Sequence, residues 1–267
     1  MSASAVVEAQ TAESEPPAEN LAVPQRVDEV VWPPTGTSGS STGGCDRPQW
    51  PAVKERSLTT APGHGRRVMM IGDSLTREIS LDDDGLPTSP AVRAALTAQG
   101  WTPTVVCWKG RTTEWASRQV AELDQLDLIP PRVVLAMGTN DLWVDDAPAA
   151  EFEEHARMLL TELATTRGGG DNAPHVYWVN LWIDTAMAKW NHEREPRDPD
   201  MAEYETYNDV LSRVCTQATN CELIDWHDAV ESDASLPARI VEPDLDGVHM
   251  TMAGAKARAE VIVQSLR

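Results

Sequence analysis

Short apolar runs alternate with stretches of helical periodicity over the last three quarters of the chain. Five of these runs are of strand length and almost continuously apolar: 68–71, 103–107, 132–137, 176–182 and 222–225. Runs of this kind are typical of parallel strands that are buried on both faces. Because strands that alternate with helices build a parallel sheet covered by those helices, we expect one doubly wound α/β domain with five strands.

Two of the intervening stretches are amphipathic helices by their spacing. The first has one apolar face: Phe152, Ala156, Leu159 and Leu163. The second closes the chain and has another: Met252, Ala255, Ala259, Ile262 and Leu266. Thr251 precedes the second helix and is a suitable N-cap. Both helices are therefore expected to pack on the sheet through these faces.

The N-terminal quarter of the chain has a different composition. Residues 1–63 are rich in Pro, Ser, Thr, Gly and Glu, with few periodic apolar positions. Such a segment buries too little apolar surface to offset the entropy of ordering its backbone. We interpret residues 1–63 as a flexible acidic leader or linker and residues 64–267 as the folded domain.

The net charge of −20 excludes several classes of partner. Nucleic acids and anionic membranes attract clustered Lys and Arg, and this chain has no basic patch. The sequence contains neither a run of 18 apolar residues nor a secretory signal at its start. The expectation is a protein without a membrane span, cytoplasmic by default, or of the cell envelope if a targeting segment precedes this sequence.

Four cysteines leave the redox state open. Cys215 and Cys221 bracket a short segment that a disulfide can close, and Cys45 and Cys107 remain as a second pair. An even count suits an oxidising compartment, but four reduced cysteines are equally ordinary in a cytosolic enzyme.

A serine follows the first predicted strand, in the string Gly72-Asp73-Ser74-Leu75. Ligands of parallel α/β sheets bind beyond the carboxyl ends of the strands, so this hydroxyl is well placed for a nucleophile. A serine needs a neighbouring base, which His249 can supply. Asp246, three residues earlier, can hold the imidazole in the required tautomer; Asp244 is the alternative, and the spacing favours Asp246.

Two further loops can stabilise negative charge on an attacked carbonyl oxygen. Gly110 follows the second predicted strand, and Gly138-Thr139-Asn140-Asp141 follows the third. The backbone N–H groups of Ser74 and Gly110 and the side-chain amide of Asn140 can donate to that oxyanion. Asp141 is expected to shape its turn.

These four blocks, in this order, resemble those of the SGNH hydrolases, also called GDSL esterases and lipases. The resemblance extends from about residue 66 to the end of the chain. It implies a flavodoxin-like three-layer α/β/α sandwich with a five-stranded parallel sheet. It also implies Ser74 as nucleophile, His249 as base and Asp246 as its acid, an oxyanion hole of Ser74, Gly110 and Asn140, and no metal or cofactor.

The sequence leaves three functions to compare. The first is a serine-dependent hydrolase of carboxylic esters, with a small-molecule or glycan ester of short acyl or acetyl chains as substrate. The second is an O-acyltransferase of polysaccharide or peptidoglycan that uses the same triad, and the third is a non-catalytic glycan- or protein-binding module. Intact Ser74, Asp246 and His249 count against the third function.

Three tryptophans are expected to line a substrate pocket. Trp108 and Trp143 stand beside the oxyanion-hole blocks, and Trp190 lies in a long segment after the fourth strand. Packing in the core or at the sheet edge is the alternative for Trp108 and Trp143, and a disordered surface loop is the alternative for the segment around Trp190.

Overall fold

Five parallel strands lie at the centre of the protein: β1 (Arg67–Gly72), β2 (Thr102–Cys107), β3 (Arg132–Ala136), β4 (His175–Val179) and β5 (Cys221–Ile224). A computed structural model describes residues 66–78, 91–108, 110–143, 145–185, 203–233, 235–236 and 247–266. The sheet order is β2-β1-β3-β4-β5, and every neighbouring pair is parallel. This confirms the predicted five-stranded parallel sheet.

The interior strand β1 is buried on both faces. Met70 pairs with Val105 on one side and with Val134 on the other. Every residue from Val68 to Ile71 is at most 1% exposed. The continuous apolar run of β1 is therefore explained by helices that cover both faces of the sheet.

Eight α-helices are described: α1 (Ser74–Glu78), α2 (Ala91–Ala98), α3 (Thr113–Gln125), α4 (Thr139–Trp143), α5 (Ala149–Thr165), α6 (Tyr204–Gln217), α7 (Trp226–Glu231) and α8 (Met252–Ser265). Two short 3₁₀ turns, Thr166–Gly168 and Gly170–Asn172, follow α5. The predicted apolar face of α5 is buried. The Thr251 side chain caps α8 by accepting a hydrogen bond from the Gly254 N–H over 3.1 Å.

The helices lie in two layers, one on each face of the sheet. The chain moves from β1 to β2 in one direction and then crosses back past β1 to β3, β4 and β5. Because such crossovers are right-handed, α2 lies on the opposite face from α3, α5 and α6. The packing agrees, since α3 contacts α5, α5 contacts α6, and α8 contacts α2. The three-layer α/β/α sandwich is confirmed.

The chain reverses its direction across the sheet after β2, and this reversal determines where the functional loops lie. Connections leave β1 and β3 toward opposite edges of the sheet, which opens a crevice beyond the carboxyl ends of these two strands. Ser74 follows β1 and Asn140 follows β3. The fold therefore brings the serine and the asparagine blocks to one place.

The fourth strand is shorter than the sequence predicts. The apolar run continues to Trp182, but β4 ends at Val179. The backbone N–H of Asn180 still donates to Ile224 O of β5 over 3.1 Å, and its side chain donates from Nδ2 to Asp225 Oδ1 over 2.8 Å. Leu181 and Trp182 are nevertheless buried. An apolar run therefore indicates that its residues are buried, but not that all of them pair with a neighbouring strand.

The predicted boundary between leader and domain, at 63/64, lies outside the described residues. All described residues belong to one structural unit, Ser41–Arg267. No helix within the described ranges combines the length and the apolar character that crossing a membrane requires.

Candidate active site

A tight turn after β1 places Ser74 at the start of α1. β1 ends at Gly72. A Cβ on Gly72 would stand 1.8 Å from Thr76 Oγ1 and 3.1 Å from Ala136 O. Only glycine lets the first turn of α1 pack this closely on the strand end. Ser74 itself is half-buried, at the edge of the sheet.

His249 reaches Ser74 from the loop before α8. Its Nε2 lies 2.9 Å from Ser74 Oγ, although 175 positions separate the two residues. The neighbouring side chains of Val248 and Met250 are buried in the core. They fix the loop on both sides of the imidazole, which explains how a loop residue holds a defined position.

The predicted acid of the triad, Asp246, lies outside the described residues, as does its alternative, Asp244. The next residue, Gly247, has a φ of 78°. A side chain would strain this backbone, so a glycine suits the turn that leads into His249. The role of Asp246 stays a prediction.

Asn140 points from the second residue of α4 toward the turn that carries Ser74. Its Nδ2 donates to Asp73 Oδ2 over 3.0 Å and to the backbone oxygen of Arg111 over 3.1 Å. Asn140 is only 7% exposed. The preceding Gly138 has a φ of 125°, and a Cβ there would lie 3.1 Å from Phe152. These contacts fix the asparagine loop against α5.

The loop that contains Gly110 meets this amide. Gly110 is exposed, with a φ of 70°, and a Cβ on it would have no atom within 4 Å. The next carbonyl, that of Arg111, accepts one of the two N–H groups of Asn140. Because Asn140 Nδ2 already donates to Asp73 and to Arg111, a substrate oxygen that binds it must share or replace one of these two acceptors.

Asp141 ties the asparagine loop to the start of α3. Its carboxylate accepts from the N–H of Thr113 at 3.1 and 2.9 Å and from Thr113 Oγ1 at 3.0 Å. Burial raises the pKa of Asp141 to about 6, although the hydrogen bonds from Thr113 and the charge of His155 lower it. His155 Nδ1 lies 4.0 Å away. Asp141 thus does more than shape its own turn.

Asp73 is a second buried carboxylate, to which the sequence assigned no role. It is 1% exposed, and its Oδ1 accepts from the N–H of Leu75 over 3.0 Å. Burial raises its pKa to about 6, against the lowering effect of Arg258 and His249. Arg258 is also buried, at 2% exposure, within the apolar face of α8. A single charge among apolar helix positions is the signal that singles out Arg258.

The predicted pocket residues remain untested. Trp108 is half-buried, and its N–H donates to Gly72 O over 3.1 Å. Trp143 is half-buried at the end of α4 and packs against the core. Trp190 lies outside the described residues. The positions of Trp108 and Trp143 are consistent with a pocket wall and with edge packing.

The cysteines at the end of α6 and the start of β5 are joined. Cys215 and Cys221 form a disulfide with an S–S distance of 2.08 Å. Cys107, at the end of β2, is also disulfide-bonded, and its predicted partner Cys45 lies outside the described residues. Among the described residues, no three His, Cys, Asp or Glu side chains cluster as metal ligands would.

Several solved structures share this fold at low sequence identity. The C-terminal catalytic domain of peptidoglycan O-acetyltransferase A from Streptococcus pneumoniae, solved with a methylsulfonyl adduct, is 18% identical, with a TM-score of 0.53, 75% of this chain and 92% of that chain covered. The acetyl xylan esterase AlAXEase is 19% identical, with a TM-score of 0.56, 75% of this chain and 100% of that chain covered. A variant of Axe2, an acetyl xylan esterase from Geobacillus stearothermophilus, is 19% identical, with a TM-score of 0.53, 75% of this chain and 94% of that chain covered. These likenesses show the fold.

The sequence itself identifies the family. A comparison with curated protein sequences gives no match. The model of the GDSL-like Lipase/Acylhydrolase family, in contrast, matches residues 70–257. That range includes all four blocks from Gly72 to His249 and most of the described domain. The chain therefore belongs to the GDSL-like lipase and acylhydrolase family, and its resemblance to the SGNH hydrolases is confirmed.

Proposed function

We propose that this protein is a serine-dependent carboxylic ester hydrolase that forms an acyl-enzyme on Ser74. The observation that carries the proposal is the 2.9 Å separation of Ser74 Oγ and His249 Nε2 at the carboxyl edge of the sheet. A serine hydroxyl is a poor nucleophile at neutral pH, and an imidazole within hydrogen-bond distance is what activates it.

The reaction proceeds in two halves. Ser74 Oγ bonds to the ester carbon while its proton moves to His249 Nε2, and the carbonyl oxygen takes the negative charge. The tetrahedral intermediate collapses, the C–O bond to the alcohol breaks, and the alcohol leaves with the proton from His249. Water then attacks the acyl-enzyme, with His249 again accepting the proton, and the acid is released.

The loops after β2 and β3 stabilise the charged intermediate in this proposal. Asn140 Nδ2 and the backbone N–H groups of Ser74 and Gly110 donate to the oxyanion, which takes the place of the Arg111 carbonyl on Asn140. Asp246 orients the imidazole through Nδ1 and stabilises it once it is protonated. Trp108, Trp143 and Trp190 line the substrate pocket.

Acetyl or other short acyl esters on carbohydrate are the proposed substrates. The acetyl xylan esterases that share the fold act on such esters, as their names state. The alternative is O-acyl transfer to a glycan, which uses the same acyl-enzyme with a sugar hydroxyl in place of water. The fold shared with a peptidoglycan O-acetyltransferase domain favours testing that alternative directly.

The first experiment measures hydrolysis of 4-nitrophenyl acetate, with and without an added xylo- or chito-oligosaccharide. Hydrolysis that is lost in Ser74→Ala but kept in the exposed control Ser212→Ala supports the esterase. Acyl transfer to the oligosaccharide that outruns hydrolysis replaces the esterase with the transferase. Absence of turnover of any ester by the folded wild type overturns both.

A second pair of variants tests the acid. Asp246→Asn leaves the imidazole in the wrong tautomer, so kcat should fall by up to about 10⁴-fold, as in other triads. Asp244→Asn, two positions earlier in the sequence, should keep kcat within about threefold of wild type. The reverse pattern would assign the acid to Asp244.

A further inference from the structure

The carboxylate of Asp73 contacts two parts of the site with its two oxygens. Oδ1 accepts from the N–H of Leu75 over 3.0 Å, in the first turn of the helix that begins with Ser74. Oδ2 accepts from Asn140 Nδ2 over 3.0 Å. One buried group therefore links the turn of the nucleophile to the amide that would bind the oxyanion, and the reaction itself does not use it.

The contact with Asp73 decides which way the amide of Asn140 faces. An ionised carboxylate only accepts hydrogen bonds, so it must be met by the NH₂ group and not by the carbonyl of the amide. With one N–H held by Asp73, the second N–H points to the Arg111 carbonyl, where a substrate oxygen would bind. A protonated Asp73 can donate to Asn140 Oδ1 instead, and the amide is then free to turn over.

A buried carboxylate needs a compensating charge, and α8 supplies one. The guanidinium of Arg258 is 2% exposed, and its charge lowers the pKa of Asp73. Arg258 lines a cavity of about 10 Å³ together with Leu75 and Val248, the neighbours of Ser74 and His249. Arg258 therefore lies near residues that flank Ser74 and His249, in surroundings where an isolated buried charge would be costly.

We propose that Asp73 is a positioning residue of the oxyanion hole, whose ionised carboxylate aims the Asn140 amide at the substrate and is stabilised by the buried Arg258. The inference rests on the proposed ester hydrolysis. It adds a requirement that the triad alone does not impose, namely that a carboxylate outside the triad must carry its charge.

The inference predicts a dependence on pH. Burial raises the pKa of Asp73 to about 6, so the amide should lose its orientation as the pH falls through this value. Two charged or titratable groups act on Asp73 across space: Arg258 on α8 and His249 on the loop before it. Because the charges of Asp73 and His249 act on each other, kinetics alone do not separate them, and the amide signals of Asn140 report the contact with Asp73 itself.

The kinetic test compares Asp73→Asn with the exposed control Asp171→Asn on 4-nitrophenyl acetate at pH 8. A misaimed donor reduces only the stabilisation of the transition state. We therefore expect kcat to fall by about 10-fold to 10³-fold, while KM changes less than about twofold. In the pH profile of kcat, Arg258→Met should move the acidic limb to higher pH, and Arg258→Lys should move that limb back toward its position in wild type. A wild-type kcat in Asp73→Asn would overturn the inference.

A second readout does not need activity. The side-chain amide signals of Asn140 in a ¹H–¹⁵N spectrum, assigned with Asn140→Ala, should shift with a midpoint near pH 6 in wild type and lose this transition in Asp73→Asn. Amide signals that do not change with pH overturn the positioning role even in an active enzyme. An inactive wild type with the expected transition would refute the proposed hydrolysis and leave the Asp73 contact supported.

Discussion

Asp141→Asn should make the stability of the folded protein less sensitive to rising pH. Asp141 is 1% exposed, and burial raises the pKa of its carboxyl from 3.8 to about 6. Between these two values the folded state binds more protons at this group than the unfolded state does. The contribution of Asp141 to stability is therefore greatest below pH 3.8 and is lost as the pH rises through about 6.

The size of the effect follows from the shift in the pKa of Asp141. The rise of this pKa from 3.8 to about 6 corresponds to ~3 kcal/mol. Over the accessible range of pH 4 to 8, the free energy of unfolding of wild type should fall by roughly 2–3 kcal/mol relative to the variant. Asp141→Asn also weakens the hydrogen bonds from Thr113. This changes the free energy of unfolding by a similar amount at every pH, so it does not alter the predicted pH dependence.

The assay is urea denaturation followed by tryptophan fluorescence, for which the chain offers ten tryptophans. Wild type, Asp141→Asn and the exposed control Asp171→Asn are compared at half-unit steps of pH. The control should stay parallel to wild type throughout. A difference between wild type and Asp141→Asn that does not change with pH would refute the raised pKa of Asp141.

Three further variants probe the site and its supports. Asn140→Ala should lower kcat by about 10²–10³-fold through loss of an oxyanion donor, and a loss below threefold in steady-state kinetics would contradict that role. Thr251→Ala removes the cap on Gly254 N and should cost about 1 kcal/mol in urea denaturation; unchanged stability would argue against the cap. Gly138→Ala forces a side chain to a φ of 125° beside Phe152 and should cost about 1–3 kcal/mol, so a neutral result would show that the loop relaxes.

The sheet was predictable from the sequence because its strands are buried on both faces. The run around Met70 is apolar at every position for this reason, and no other structure of that length explains it as simply. The end of β4 was not predictable. Leu181 and Trp182 continue the apolar run and are buried, yet they lie beyond the end of β4 at Val179.

Some residues of the site could also be predicted from the sequence, and others could not. Ser74 and Asn140 stand in short motifs behind predicted strands, and His249 stands just before the closing helix, so motif order and fold rules together could select them. Asp73 and Asp141 stand in the same motifs, but polar residues are common in turns for local reasons. Their contacts join loops that are far apart in the chain, and the sequence carries no record of which distant group they meet.

The role of Arg258 could not be predicted from the sequence either. Its position on the apolar face of α8 looks like an interruption of the pattern, whereas in the fold its charge acts on buried Asp73. Compensation between buried charges depends on distance in space. Helical periodicity therefore predicted the apolar face of α8 but not that Arg258 would be buried in it beside Asp73.

The central claim is that Ser74 is a nucleophile activated by His249, and labelling with a fluorophosphonate tests it most directly. Intact-mass and peptide mass spectrometry of the folded protein should show one adduct, located on Ser74. The adduct should be absent from Ser74→Ala and retained in Ser212→Ala. A folded wild type that stays unlabelled, or an adduct that persists in Ser74→Ala, would contradict the account.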